Sequence, residues 1–505
     1  MINRFLHGIA LTAAQLSICS TLWSGAAFSQ FKTAEAASQL ELQGKFTAAS
    51  NLLTGAINSK TLSESETEEL KFELDRLSRI RHDYIYTEKE LYDELKISVR
   101  GLTADEYSAW VKGGRFDSRV IDGTRYFMSA SDSNLFYRDP ELYYRKIGRP
   151  DPAPQEKAHI DTCLSIKRAA LEERQPYVLP KRFHATMTVT AKPNAAPPGE
   201  IVRAWLPIPR LYPFQDDFEL LSSIPPGIHV DGNQSRARAI YLEQPSRNNE
   251  SLNFKIEYEY TIHGVWFDLK PELVRPTGQQ DPELAEYLKE APHVVFTPEM
   301  RELSQQIIGE ETNACLKARR CYDWIASHIQ YSYAIEYSTI RNISDYCRSK
   351  GYGDCGQEAL LFITLCRLNG IPARWQSGWN TFPGEKTLHD WSEIYLAPYG
   401  WVPVDPFMGV YATRYANTLS PGQKSELRDF YFGGLDQYRM IANSDHSQVL
   451  SPRKRAFRSD TVDFQRGELE WGTNNIYLDK FSYKLDIREA KMSRREAKSR
   501  QMADP

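Results

Sequence analysis

Three residues in the second half of the chain, Cys355, His389 and Asp405, have the types and the order of a nucleophile, a general base and an orienting acid. In such a triad the imidazole takes the proton of the thiol, and the carboxylate orients the imidazole and stabilises its charged form. The sequence therefore predicts a nucleophilic cysteine site within residues 353–409.

The local sequence around Cys355 predicts the first turn of a helix. Asp354 is a good N-cap residue, and Gly370-Ile-Pro372 is a typical end signal. A thiol in this position feels the positive end of the helix dipole, which favours the thiolate, and the neighbouring N–H groups suit an oxyanion. A structural cysteine that merely begins a helix remains an alternative. Residues 351–356 also satisfy the G-x-G-x-x-G pattern, but the preceding residues do not form an apolar strand, so a dinucleotide site is not predicted.

The positions of His389 and Asp405 depend on how two predicted strands pair. A tight hairpin loop would place Asp405 opposite Ser392, about 10 Å from His389 along the strand. A five-residue loop would instead place Asp405 opposite His389, and the triad requires a register close to this one. Asp390 is a rival carboxylate, although strand alternation directs it to the other face.

Length and composition exclude several classes of function. A chain of 505 residues predicts roughly three domains. A net charge of -4 argues against a nucleic-acid partner, and 12% aromatic residues are typical of sheet-rich domains or of a groove for peptide or sugar. A carbohydrate-binding protein is therefore a further alternative. The sequence contains no C-x-x-C pair and no H-E-x-x-H helix, so no metal and no cofactor is predicted.

The N-terminus predicts export to the periplasm or the extracellular space. Arg4 is followed by an uncharged run that ends in Ala27-Phe-Ser29, as in a signal peptide over residues 1–29, and no membrane span is expected after its removal. A lipid anchor at Cys19 is not predicted, because Ile18 occupies the position of a small residue. Six cysteines then remain, and reserving one for catalysis excludes a fully paired disulfide framework.

The periodicity of apolar residues predicts a multidomain chain. Residues 252–262 alternate with period two and predict the most secure strand, whereas residues 298–308 and 314–329 predict helices. Pro207 and Pro209 predict that their strand lies at a sheet edge. The expected order is a mainly helical N-terminal region over 30–175, a β-sandwich over 178–270, a catalytic core over 280–445 and a C-terminal extension over 446–505.

Several motifs between residues 310 and 415 resemble the transglutaminase-like superfamily. They are Gly353-Asp-Cys-Gly356 before an apolar helix, Asn369-Gly-Ile-Pro-Ala-Arg374, Ser377-Gly-Trp379, His389-Asp-Trp-Ser-Glu-Ile-Tyr395 and Gly400-Trp-Val-Pro-Val-Asp-Pro406. The resemblance implies an α+β papain-like core, with the cysteine on a helix packed against an antiparallel sheet that carries the histidine and the aspartate. It assigns Cys355 as nucleophile, His389 as base and Asp405 as orienting acid.

The same resemblance implies acyl transfer through a thioester on peptide or protein amides, with a cell-envelope peptide as one such substrate. Water as acceptor gives a protease or amidase, which bacterial relatives favour, whereas a lysine amine gives protein crosslinking. A secreted binding or assembly factor on a transglutaminase-like scaffold is the non-catalytic alternative. Calcium is not indicated, because no acidic loop of ligand spacing is present. Candidates for an oxyanion or groove role are Tyr331, Tyr352 and Trp379.

Overall fold

The computed structural model describes residues 25–59, 61–275 and 281–490. Most of the predicted signal peptide, including Cys19, lies outside these ranges. The helices are α1 (Gly25–Leu42), α2 (Phe46–Asn58), α3 (Glu64–Asp83), α4 (Glu88–Ser98), α5 (Ala104–Lys112), α6 (Ser131–Arg138), α7 (Ala153–Glu173), α8 (Pro282–Ala285), α9 (Pro298–Ile308), α10 (Ala314–His328), α11 (Ile343–Lys350), α12 (Cys355–Leu368), α13 (Pro406–Arg414) and α14 (Pro421–Phe430). Within the described ranges, no helix combines the length and the apolar character needed to cross a membrane.

The strands are longest between residues 177 and 266 and recur near the C-terminus. They are β1 (Tyr84–Tyr86), β2 (Ser118–Ile121), β3 (Thr124–Met128), β4 (Tyr177–Ala191), β5 (Ile201–Pro207), β6 (Gln215–Ile224), β7 (His229–Val230), β8 (Ala239–Pro245), β9 (Leu252–Trp266), β10 (Gln330–Tyr331), β11 (Tyr352–Gly353), β12 (Ala373–Asn380), β13 (Thr387–Leu396), β14 (Gly400–Val404), β15 (Gly434–Leu435), β16 (Arg439–Ser444), β17 (Glu468–Trp471), β18 (Asn474–Ile476) and β19 (Phe481–Ala490).

Two compact units divide the chain. The smaller unit extends to Leu77 and includes Val120–Gly123, and its helix α2 buries Phe46, Ala49 and Leu53. Long-range polar contacts also hold this unit together; for example, the backbone N–H of Thr47 donates to Asp122 Oδ1 at 2.9 Å. The larger unit contains all other described residues and the candidate site.

Two five-stranded sheets dominate the larger unit. One has the order β15-β9-β4-β19 with β6 also paired to β9, and the other has the order β18-β17-β5-β8-β7. The strand predicted at 252–262 is confirmed as part of β9, whose alternating residues enter a shared apolar core. Strands β17 and β19 of the predicted C-terminal extension pair with β5 and β4. Both sheets thus combine strands of the predicted β-sandwich with strands of the predicted C-terminal extension. The domain boundaries expected from the sequence remain a prediction.

The edge position predicted from Pro207 and Pro209 is wrong. Strand β5 lies inside its sheet, between β17 and β8. Pro207 is the last residue of the strand, and β17 pairs only with Val202–Trp205. Pro207 cannot donate a backbone hydrogen bond, but it lies outside the part of β5 that pairs with β17.

The segment predicted as the catalytic core, residues 280–445, combines helices with the antiparallel sheet β14-β13-β12-β16. Helix α9 has the predicted bounds 298–308, and α10 ends one residue before the predicted position 329. Helix α12 packs on β12 and β13, and its residues from Gly356 to Arg367 are all buried. A helix covered on every side is expected to be largely apolar, which explains the run Leu360-Leu-Phe-Ile363, although Glu358 is also buried.

Candidate active site

Cys355 is the first residue of α12, and a reciprocal cap fixes that position. Asp354 accepts a hydrogen bond from the backbone N–H of Gln357 at 3.0 Å, while Gln357 Oε1 accepts from the N–H of Asp354 at 3.2 Å. The hydroxyl of Tyr337 donates to Asp354 Oδ1 at 2.6 Å. The predicted N-cap and helix start are confirmed, and the reciprocal hydrogen bonds of Asp354 and Gln357 fix the backbone at Cys355.

Gly356 allows the start of α12 to approach the sheet. A Cβ atom at this position would lie 2.7 Å from the ring of Trp375 and 2.9 Å from Asp390 Oδ2, and it would overlap the hydroxyl of Tyr337. Real Cβ atoms do not come this close to such neighbours, so only glycine lets Cys355 reach strand β13.

His389 and Asp405 form a buried pair. The Nε2 atom of His389 lies 2.7 Å from Asp405 Oδ2, and the two side chains are 4% and 0% exposed. Asp405 also caps α13, because its Oδ1 accepts from the N–H of Met408 at 3.2 Å. The guanidinium of Arg439 lies 3.7 Å from Asp405 Oδ2. Since Nε2 is engaged by the carboxylate, Nδ1 is the ring nitrogen available to exchange a proton with a thiol.

Neither register considered for the β13–β14 hairpin is correct. Leu396 pairs with Gly400 and Ser392 with Val404, so Asp405 follows in the position opposite Trp391. Trp391 is two residues from His389 on the same strand face, about 7 Å along the strand. The contact still forms because Asp405 is the cap of α13 and not a residue of β14, so its side chain leaves the strand direction.

Asp390 contacts the sulfur of the candidate nucleophile. Its Oδ2 atom lies 3.7 Å from Cys355 Sγ, and its Oδ1 accepts from Gln465 Nε2 at 2.7 Å. The same amide nitrogen donates to the backbone oxygen of His389 at 3.0 Å. Sequence reasoning treated Asp390 only as a rival partner of the histidine and missed Gln465, which lies 75 residues away and has no local motif.

Burial and neighbouring charges keep the thiol protonated in the free protein. Burial raises the pKa of Cys355 well above its usual value, and the carboxylates of Asp390 and Asp354 raise it further. This opposes the effect expected from the helix dipole. Burial lowers the pKa of His389, and the adjacent Asp405 opposes that shift. The resting site therefore holds a neutral thiol and a neutral imidazole.

A cavity of about 710 Å³ contains Cys355, His389 and Asp390 in its wall. Two of the predicted groove residues, Tyr331 and Trp379, also line it. The third, Tyr352, is placed elsewhere: its hydroxyl donates to Asp117 Oδ1 at 2.6 Å, and the guanidinium of Arg138 lies over its ring. Tyr352 is thus not among the residues that line this cavity, and its groove role stays a prediction.

Among the described residues, no three or more His, Cys, Asp or Glu side chains are grouped as ligands of a metal ion. The six cysteines in this part of the chain are free thiols, and five of them are buried. Cys355 is the one with partial exposure. A thiol reagent should therefore reach Cys355 before the others.

Comparison with known proteins identifies the core. Residues 301–406 match the family model described as the transglutaminase-like superfamily. A Haemophilus influenzae protein to which no function is assigned is 24% identical over 249 residues, which are 40% of this chain and 62% of that relative. The chain thus matches less than two thirds of the relative's length.

Two solved structures show weak overall likeness. A candidate cysteine protease from Cytophaga hutchinsonii has 16% identity and a TM-score of 0.41, covering 62% of this chain and 92% of its own. The periplasmic domain of TgpA from Pseudomonas aeruginosa has 15% identity and a TM-score of 0.25, covering 52% and 96% of the two chains.

Proposed function

Because residues 301–406 form a transglutaminase-like core domain, we propose that this protein is a cysteine-dependent acyl-transfer enzyme that hydrolyses amide bonds of peptides or proteins. The observation that carries the proposal is the buried 2.7 Å contact between His389 and Asp405, in a cavity that also contains Cys355. A buried carboxylate on one ring nitrogen prepares the other to act as a base.

The reaction begins with proton transfer from Cys355 Sγ to His389 Nδ1. The thiolate then attacks the amide carbonyl carbon, and the negative charge of Asp405 stabilises the imidazolium. The first N–H groups of α12 are the natural donors to the tetrahedral oxyanion. His389 returns its proton to the leaving amine as the C–N bond breaks, which leaves an acyl thioester on Cys355.

Water completes the proposed cycle. His389 removes a proton from the water molecule, and hydroxide attacks the thioester carbonyl. The C–S bond then breaks, the acid product leaves, and His389 returns its proton to the sulfur of Cys355. A lysine amine in place of water would give an isopeptide crosslink. We favour water because the core resembles bacterial members that are mostly hydrolytic. The leader-type sequence at residues 1–29 supports the further proposal that the substrate is met outside the cytoplasm.

The proposal is tested by brief labelling with a low dose of iodoacetamide across pH 5–9, read out by intact mass. The wild type is compared with Cys355→Ala and His389→Ala. We expect one fast adduct that is absent in Cys355→Ala and slowed in His389→Ala. Labelling that is indifferent to His389 would contradict the triad and favour a non-catalytic scaffold.

The acceptor is then assigned with peptide mixtures, in the presence and absence of a primary amine. Two fragments whose summed mass exceeds that of the peptide by one water support hydrolysis. Acyl products that carry the added amine in place of the released amine or ammonia would overturn hydrolysis and establish transfer to an amine.

A further inference from the structure

We propose that the cavity binds a positively charged side chain of the substrate against Asp463, so that the enzyme prefers amide bonds next to an ammonium- or guanidinium-bearing residue. This inference rests on the proposed acyl-transfer function and names its substrate class. It is drawn from the distribution of charge and of unmet hydrogen bonds in the wall of the cavity.

The cavity wall is strongly acidic. Among the described residues that line it, carboxylates number seven and side chains with a permanent positive charge number two, Lys386 and Arg466. Where these carboxylates are ionised, the wall carries mainly negative charge and raises the local concentration of cationic ligands.

Arg466 is already engaged by other carboxylates. Its Nε lies 3.2 Å from Asp460 Oδ2, a second nitrogen also bonds Asp460, and Nη1 lies 3.4 Å from Glu336 Oε1. The guanidinium is therefore bound on two sides. Its charge compensates Asp460 and Glu336 and leaves Asp463 without an ion pair of its own.

Asp463 is a buried acid with an unmet hydrogen bond. The residue is 8% exposed and lines the cavity, and its buried Oδ1 atom has no hydrogen-bond partner among the described residues. Its backbone oxygen accepts from Arg458 Nη2 at 2.7 Å, which fixes the position of the residue, while Arg458 also bonds Glu468. A buried carboxylate oxygen in this state is stabilised by any donor that enters the cavity.

Asp463 influences the surroundings of the sulfur of Cys355 through Asp390. Apart from burial, the charge of Asp463 is the largest influence that raises the pKa of Asp390, and Asp390 contacts Cys355. A bound cation would favour the ionised form of Asp463, and the two opposite charges would leave the net charge near the sulfur unchanged.

The cation belongs to a non-reacting side chain and not to an attacking amine. An amine must lose its proton before it can attack a thioester, whereas a neighbouring carboxylate stabilises the protonated form. A carboxylate in this position would therefore slow an amine acceptor. It would strengthen the binding of a donor peptide whose charge is retained throughout the reaction.

The pH dependence follows from the groups that face Asp463. Burial and the charge of Asp460 raise its pKa to about 8, Glu336 also raises it, and Arg466 and Arg458 lower it. In the free protein Asp463 is thus mostly protonated at neutral pH. The preference for a cation should rise as the pH increases towards 8.

The test compares three methanethiosulfonate reagents that share one reactive group and carry a trimethylammonium, a neutral or a sulfonate substituent. Each rate of disulfide formation at Cys355 is measured by intact mass in the wild type, Asp463→Asn and Asp463→Glu, with Cys355→Ala as blank. Glu393→Gln is the matched control, since Glu393 is a buried carboxylate outside the cavity wall that pairs with Arg374 at 2.7 Å.

We expect the cationic reagent to exceed the neutral one by about tenfold in the wild type, from the attraction of one nearby charge. The ratio should fall towards one in Asp463→Asn, persist in Asp463→Glu and Glu393→Gln, and increase from pH 6 to pH 8. A ratio that is the same in Asp463→Asn and wild type would overturn the inference. If Cys355 reacts with none of the reagents, the acyl-transfer proposal fails instead, so the two failures are distinguishable.

Discussion

Replacing Asp405 with asparagine isolates the charge on which the proposed base, His389, depends. The substitution preserves the size of the side chain but removes the negative charge 2.7 Å from His389 Nε2. Asp405 opposes the lowering of the pKa of His389 by burial, so its loss should lower that pKa further. Proton transfer from Cys355 then becomes less favourable.

The size of the effect follows from Coulomb's law. Two unit charges 2.7 Å apart interact by about 6 kcal/mol at an effective dielectric constant of about 20. Arg439 lies 3.7 Å from the same oxygen and already offsets part of this attraction. We therefore take about half, about 3 kcal/mol, which corresponds to about two pKa units and a hundredfold smaller thiolate–imidazolium population.

The assay is the second-order rate of iodoacetamide labelling at Cys355 from pH 5 to pH 9. Asp405→Asn should react about a hundredfold more slowly below pH 7. The difference should narrow at high pH, where the thiol loses its proton to the solvent. Thermal unfolding of each variant verifies that the protein is folded.

Glu393→Gln is the matched control. Glu393 is a buried carboxylate in strand β13 that pairs with Arg374 at 2.7 Å. This substitution should leave the labelling profile unchanged. An unaltered profile in Asp405→Asn, or an equal loss in Glu393→Gln, would refute the role assigned to Asp405.

Three further predictions follow from the same site and its surroundings. Asp390→Asn removes a carboxylate that raises the pKa of the Cys355 thiol, so the labelling profile should move to lower pH; a profile that stays in place would exclude this influence. Gly356→Ala should destabilise the protein by about 1–3 kcal/mol in urea unfolding, because its Cβ meets Trp375 and Asp390. Gly422→Ala, whose Cβ meets nothing within 4 Å, should change stability by less than about 0.5 kcal/mol, and equal losses would contradict the packing argument. Burial lowers the pKa of His446 to about 3, below its value in the unfolded chain, so its contribution to stability is present above pH 6.5 and lost as the pH falls. Between pH 7 and pH 5 this amounts to about 2 kcal/mol, and His446→Gln should remove that part of the slope; an unchanged slope would assign it to other groups.

Local signals in the sequence predicted the parts of the structure that depend on neighbouring residues. Asp354 and Gly370 mark the two ends of α12 because capping involves residues a few positions apart. Strand β9 was predicted because one of its faces enters the core while the other is less buried. The identity of the three candidate catalytic residues followed from motif resemblance, and their chemical roles remain proposals.

Contacts between distant segments were not predictable in this way. The hairpin register depends on where Asp405 leaves the strand, and this is decided by the start of α13. Because β17 pairs with β5, β5 is an interior strand, although Pro207 and Pro209 predicted an edge strand. The hydrogen bond from Gln465 to Asp390 joins residues 75 positions apart, and no local sequence motif predicts it.

The position of Gln465 late in the chain has a consequence for biosynthesis. A ribosome that has completed residue 405 has already made the proposed nucleophile, base and acid. The amide that bonds both Asp390 and the backbone of His389 is made 60 residues later, and β19, which pairs with β4, is made later still. A nascent chain therefore lacks this support beside the proposed nucleophile until residue 465 has been made.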